Sequence, residues 1–162
     1  MVGFRNTFYI IAFAYTLTII AVSVDNFNLG AFSLLLVLLI ASSFYHKAEK
    51  DFYVWQFALS PVRFLVYKIK NALWHSFLLC FPVIVILCCF YFERAGALIV
   101  LFAWGFAFLS TVMLAKYAAY PDEINIVTGI LLGACLFFPP LMVIAIPYFS
   151  HKSVDKLKII LK

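Results

Sequence analysis

The sequence has very few charged residues. Only 12% of its 162 residues are Asp, Glu, Lys or Arg, whereas soluble globular domains contain about a quarter. Hydrophobic residues make up 67%, and the mean hydropathy is +1.09. So few polar side chains cannot cover a water-exposed surface. We therefore exclude a soluble enzyme, a disordered chain and a disulfide scaffold, and we expect an integral membrane protein surrounded by the lipid bilayer.

Residues that carry catalysis or bind metals are also scarce. The sequence has no CxxC pair, HExxH, GxSxG or Walker A pattern, and no acid pair suited to hydrolysis within the membrane. Its four cysteines lie in apolar stretches, as inert buried thiols do, and His75 is interpreted as an interfacial polar residue rather than a proton relay. A membrane enzyme acting on lipids would need a polar cluster that is missing. We expect no enzyme activity, metal site or cofactor, and the small net charge of +5 does not favour nucleic-acid binding.

Long apolar runs predict the membrane spans, because a helix needs about 20 mostly apolar residues to cross the hydrocarbon core. Four runs have no charged residue away from their ends: about 7–24, 29–45, 72–92 and 95–116. A fifth run, 124–149, is broken by the prolines at 139–140. The predicted fold class is all-α: a single polytopic transmembrane helix bundle over 1–162, with four clear spans and a Pro-broken fifth and sixth re-entrant pair.

The distribution of Lys and Arg predicts the orientation. Segment 46–71 carries five of them and the tail 151–162 carries four, whereas the other connections carry one or none. Positively charged segments stay in the cytoplasm. Both segments and the N-terminus can lie there only if the fifth run enters the membrane and returns. Pro139 and Pro140 are the expected hinge, since neither has a backbone donor. The alternative is one kinked helix that leaves the tail outside.

Segment 46–71 is predicted to contain an interfacial amphipathic helix between spans 2 and 3. Ser60-Pro61 is a typical helix start. Apolar residues then follow at helical spacing on one face, with Phe64 as the exception. The other face supplies the candidate partner-docking residues: Arg63, Tyr67, Lys68 and Lys70. The alternative is that these basic residues only anchor the topology. Ser153 is expected to cap a shorter helix in the cytoplasmic tail.

Two sets of small residues predict close helix packing, because small side chains let helix backbones approach. The first set is Gly129 and Gly133, and the second is Ala103, Gly105 and Ala107. Packing within the chain is expected for both sets. Homo- or hetero-oligomerisation through these faces is the alternative.

Residues 59–69 resemble a motif of the ABC-2 type transporter permeases, the membrane-spanning subunits of ABC transporters. Their sequence, LSPVRFLVYKI, is similar to that family's Leu, Pro, small aliphatic and basic residue followed by an aliphatic stretch that ends in Lys before the third span. Stretches 116–123, 138–140 and 146–149 are also similar to membrane proteins grouped with such permeases. The chain departs from the pattern at Arg63, where the family has Ser or Thr.

The resemblance implies a permease subunit, or half-unit, that moves substrate across the bacterial inner (plasma) membrane. Since the sequence has no Walker A pattern, transport would need a separate ATP-binding-cassette ATPase docked on segment 46–71. The alternative is a non-catalytic membrane scaffold or accessory subunit of a larger complex.

Overall fold

All the regular structure in the described part of the chain is helical. The computed structural model describes residues 2–47, 49, 52, 54, 56–57, 59–159 and 161. Within these residues the helices are α1 (Val2–Ser23), α2 (Phe27–Ser43), α3 (Pro61–Phe90), α4 (Ala95–Ala119), α5 (Ile126–Phe137) and α6 (Leu141–Leu157), with a 3₁₀ turn at Phe92–Arg94. The predicted all-α class is confirmed.

Local chemistry explains where several helices begin. Asn26 caps α2, because its side-chain oxygen accepts a hydrogen bond from the Leu29 amide at 3.2 Å. Asn125 caps α5 in the same way through the Thr128 amide at 2.8 Å. α3 begins at Pro61, where a fixed φ and a missing N–H cost nothing. Asp25, before α2, adopts a φ of 50°, in the left-handed region that Asp and Asn tolerate.

α3 combines two elements that the sequence predicted to be separate. The predicted interfacial helix and the third span form one uninterrupted helix of 30 residues. Residues 70–73 contain neither Gly nor Pro, and Ala72 is buried, so nothing breaks the helix where the apolar pattern changes. The helix also continues through Pro82.

Two helices are long and apolar enough to cross a membrane: α3, and α4 with the turn before it. The other apolar helical stretches are shorter, at Thr7–Ser23, Phe27–Ser43 and Ile126–Phe137. α5 and α6 are separate helices, and Pro139-Pro140 lies between them, where the sequence analysis placed the break.

The chain divides into two compact units, and the division falls within α3 and within α4. Unit 1 comprises Met1–Phe44 and Trp74–Phe106, and unit 2 comprises Tyr45–Leu73 and Ala107–Lys162. The core of unit 1 is apolar and includes Leu34, Val37, Val83, Leu87 and Leu98.

A few hydrogen bonds join the helices of unit 1. The Tyr15 hydroxyl donates to the Leu79 carbonyl at 2.7 Å, and the Tyr91 hydroxyl donates to the Ala21 carbonyl at 2.8 Å. The hydroxyls of Thr18 and Ser33 lie 2.9 Å apart between α1 and α2. Each of these polar groups is therefore satisfied within an apolar environment, where an unpaired group would cost free energy.

Glycine allows close packing in unit 1 at two positions. A Cβ added at Gly30 would lie 2.6 Å from a methyl carbon of Leu87, and one added at Gly105 would lie 2.5 Å from a methyl carbon of Leu38. By contrast, a Cβ added at Gly129 or Gly133 would meet no atom within 4 Å. The close helix packing expected from small residues is therefore present at Gly105. Within the described residues it is absent at Gly129 and Gly133.

We predict that Gly105→Ala destabilises the protein and that Gly133→Ala does not. The new methyl at 105 collides with the buried Leu38 side chain, and overpacking costs about 1–3 kcal/mol. This outweighs the gain of up to about 1 kcal/mol from placing Ala in a helix. The expected fall in the midpoint of thermal unfolding is about 2–4 °C, measured by circular dichroism.

Gly133→Ala is the matched control, since it gains the same helix propensity without a collision. Its midpoint should stay level or rise. An equal rise in both variants would contradict the close contact between Gly105 and Leu38.

Candidate functional site

The carboxylate of Glu49 is the centre of a group of polar side chains in unit 2. It accepts hydrogen bonds from Lys68 Nζ at 2.8 Å, Lys116 Nζ at 3.1 Å and the Tyr117 hydroxyl at 3.1 Å. Lys68 binds Oε2, whereas Lys116 and Tyr117 share Oε1. We call Glu49, Lys68, Lys116 and Tyr117 the Glu49 cluster.

The Glu49 cluster is largely shielded from solvent. The Lys116 side chain is 4% exposed, that of Lys68 17% and that of Glu49 27%. Lys68 Nζ lies 4.6 Å from the ring centroid of Phe57 and 5.5 Å from that of the fully buried Phe64. Low local polarity strengthens an ion pair that is well hydrogen-bonded, and makes an unpaired charge costly.

The environment of Glu49 keeps its carboxylate charged. Burial raises the pKa of Glu49, but the hydrogen bond from Lys68 and the charges of Lys116 and Lys68 outweigh burial, so this pKa lies below its ordinary value. The carboxylate therefore acts as a fixed anion rather than as a proton donor or acceptor near neutral pH.

Three separate stretches of chain bring the Glu49 cluster together. Glu49 lies between α2 and α3, Lys68 lies in the first third of α3, and Lys116 and Tyr117 lie near the end of α4. A cation near a helix C-terminus is favoured by the exposed carbonyl dipoles there. The cluster thus fastens the segment after α2 to both long helices.

The four predicted docking residues lie in two different environments. Arg63 and Lys70 are exposed and Tyr67 is half exposed, so these three are accessible. Lys68 instead belongs to the Glu49 cluster.

The predicted apolar face of this part of α3 is buried only in part, at Leu65 and Ala72. Phe64, expected to be the exception, is fully buried against the edge of the Tyr117 ring at 5.4 Å. Val62 and Val66, expected to face the apolar side, are exposed. The residues that meet Glu49 and α4 decide which face is buried, and the apolar pattern alone does not include them.

Ser153 does not begin a helix as expected. It lies inside α6, is fully buried, and its hydroxyl approaches the carbonyls of Leu114 and Phe149. A buried serine within a helix satisfies its hydroxyl through a preceding carbonyl and, here, one from α4. Residues 151–157 therefore continue α6 rather than form a separate tail helix.

The remaining predicted residues lie in different environments. Ala103 is exposed and Ala107 is half-buried, on either side of Gly105. Pro139 and Pro140 are exposed between α5 and α6. Among the cysteines, all free, Cys80 and Cys135 are buried and Cys89 is exposed. Among the described residues, no group of three His, Cys, Asp or Glu could hold a metal ion.

Sequence reasoning did not single out Glu49, Lys116 or Tyr117 as a site. Two signals were available: Lys116 is the only charged residue of its apolar run, and Glu49 lies in a short mixed-charge stretch. Their pairing spans 67 positions of sequence, so no local pattern joins them. No protein-family model, curated protein or solved structure matches this chain.

We predict that Glu49→Gln destabilises the protein by about 1–3 kcal/mol, because it leaves the buried Lys116 without its anion. The loss is smaller than for a fully buried pair, since Glu49 is partly exposed. Adding Lys116→Met should restore part of the stability, because the more buried of the two unpaired charges is then removed. Thermal unfolding of both variants measures this.

The pH dependence of stability provides a second test of Glu49→Gln. Because the pKa of Glu49 is lowered on folding, its contribution is complete above pH 4.5 and is lost as the pH falls further through the folded-state pKa. Wild type should therefore lose more stability than Glu49→Gln in that acid range. Glu123→Gln, an exposed control, should behave as wild type. Parallel acid profiles of wild type and Glu49→Gln would refute this role.

Proposed function

We propose that this chain is a multi-pass helical protein of the bacterial inner (plasma) membrane. The observation that carries the proposal is the exposure of large apolar side chains along the helices. Only 22% of the most apolar stretch of α3 is buried, and 39% of that of α4. The core helix of a soluble protein would bury most of such a stretch. Exposed examples are Phe13, Ile19, Leu78, Phe81, Ile99, Val100, Ile126 and Ile130.

Helix lengths support four spans and a re-entrant pair in this proposal. α2 has 17 residues, about 26 Å at 1.5 Å per residue, which nearly matches the hydrocarbon core of about 30 Å. α3 is about 45 Å long, so its first turns extend beyond that core. α5, with 12 residues, is about 18 Å long and too short to cross. Pro139-Pro140 then returns the chain to the same side.

We predict that the N-terminus, segment 46–71 and the α6 end lie in the cytoplasm, as the distribution of Lys and Arg favours. In a cysteine-free background, Asn28→Cys should react with a membrane-impermeant thiol reagent on intact cells, and Lys156→Cys only after permeabilisation. The chain should stay with the membrane fraction after alkaline carbonate washing. Release by carbonate would contradict insertion, and labelling of Lys156→Cys on intact cells would contradict the re-entrant pair.

Within this membrane protein we propose the role of a permease subunit driven by a separate ATP-binding-cassette ATPase. The resemblance of residues 59–69 supports it, and so does the exposure of Arg63 and Lys70 on the first turns of α3. The Glu49 cluster supplies a physical route for coupling. A displacement of the segment after α2 would be transmitted through Glu49 to Lys68 of α3 and Lys116 of α4.

We predict that Arg63→Glu/Lys70→Glu lowers recovery of the ATPase in a mild-detergent pull-down by about tenfold, since two like charges then face the partner. Membrane insertion should be unchanged. Lys152→Glu/Lys156→Glu is the matched control for charge reversal at exposed lysines. Mass spectrometry and ATP hydrolysis of the pull-down measure recovery. A membrane complex without any ATPase would contradict the permease role and leave the scaffold alternative.

A further inference from the structure

A cavity of about 370 Å³ opens in unit 1 where two connections meet. One is the turn between α1 and α2, and the other is the 3₁₀ turn between α3 and α4. Charged groups of both signs line it: Asp25, Glu93 and Arg94. Four aromatic rings complete the lining: Phe27, Phe90, Tyr91 and Phe92. Its volume lies in the range of small-ligand sites.

The charged side chains that line this cavity do not pair with one another. Within the part of the chain that the structure describes, no ion pair joins Arg94 to Asp25 or Glu93. The Arg94 guanidinium instead lies 5.1 Å from the ring centroid of Phe27. One cation and two anions therefore face the same space, each with hydrogen-bonding capacity to spare.

The aromatic wall of the cavity is held in place. The ring of Tyr91 meets that of Phe27 edge to face, with centroids 5.6 Å apart. The Tyr91 hydroxyl is fixed by its hydrogen bond to Ala21 at the end of α1. Phe90 and Phe92 are largely exposed at the mouth. Aromatic faces attract ammonium groups, and exposed rings at helix ends are typical of the headgroup level of a bilayer.

We propose that this cavity binds the zwitterionic head of a phospholipid that carries a phosphate and an ammonium group. Arg94 binds the phosphate, as guanidinium groups do through paired hydrogen bonds. Asp25 and Glu93 bind the ammonium against the aromatic wall. Phe90 and Phe92 contact the first carbons of the acyl chains. The inference rests on the proposed insertion into a bilayer, because that places the ends of the helices among lipid heads.

Native mass spectrometry of the purified chain in mild detergent tests the proposal, with equal amounts of phosphatidylethanolamine and phosphatidylglycerol. Both lipids carry the phosphate, and only the first carries the ammonium. We expect about tenfold preferential retention of phosphatidylethanolamine, equivalent to one charged hydrogen bond. Asp25→Asn/Glu93→Gln should abolish the preference and leave phosphatidylglycerol binding unchanged. Arg94→Gln should weaken the binding of both lipids.

Matched controls separate the cavity from general charge effects. Asp122→Asn/Glu123→Gln removes two exposed acids elsewhere, and Arg63→Gln removes an exposed Arg elsewhere, so both should keep the preference. Asn is tolerated at a left-handed φ, so Asp25→Asn should fold. Should the double variant lose its helicity or its single elution peak, Glu93→Gln alone serves, with a partial loss of preference expected.

Soluble phosphoethanolamine distinguishes the source of the headgroup. Competition by phosphoethanolamine would show that the head alone is recognised, and retained preference without competition would show that the acyl chains contribute. Either result supports the proposal. Equal retention of the two lipids by wild type, or a preference that survives in the double variant, overturns it. Neither outcome affects membrane insertion, which carbonate washing measures separately.

Discussion

The carboxylate of Glu49 is the interaction on which the arrangement of unit 2 depends. It is one anion bound by two lysines and a tyrosine from two different helices. Because Lys116 is almost fully buried, removing the anion would leave a buried, unpaired charge, which is costly. The rings of Phe64 and Tyr117, both fully buried, pack against each other beside the Glu49 cluster.

A second feature is the apolar surface of the helices, two of which are long and apolar enough to cross a membrane. The helices expose large side chains such as Leu78 and Val100, while several polar contacts join the helices of unit 1. Among the described residues, the buried Ser76 Oγ and Trp104 Nε1 have no hydrogen-bond partner. Tyr15 and Tyr91 each reach a main-chain carbonyl of another helix, and Thr18 meets Ser33 across α1 and α2. Apolar groups outside and hydrogen bonds between helices inside support the proposed lipid environment, since an unpaired donor in hydrocarbon costs several kcal/mol.

Features set by neighbouring residues could be predicted from the sequence, and features set by distant residues could not. The helical class, the start at Pro61 and the interruption at Pro139-Pro140 follow from apolar runs and from proline geometry. Burial of Phe64 and the pairing of Lys68 follow from Glu49 and Tyr117, which lie far away along the chain. Ser153 looked like a cap because serine favours that position, yet a carbonyl of α4 gives its hydroxyl a partner inside α6. Contacts between residues that are distant in sequence decide which of these side chains are buried and which groups they pair with.

The Glu49 cluster and the cavity of unit 1 differ in how far their charged groups are paired within the chain. In the Glu49 cluster every carboxylate oxygen has a donor at 3.1 Å or less, so the anion is saturated and its effect is structural. At the cavity of unit 1, Arg94 rests on an aromatic ring, and neither Asp25 nor Glu93 pairs with it. Folding alone does not satisfy these charges. Because charges of both signs line one cavity beside aromatic rings without pairing with one another, the cavity is suited to a ligand that carries both signs itself.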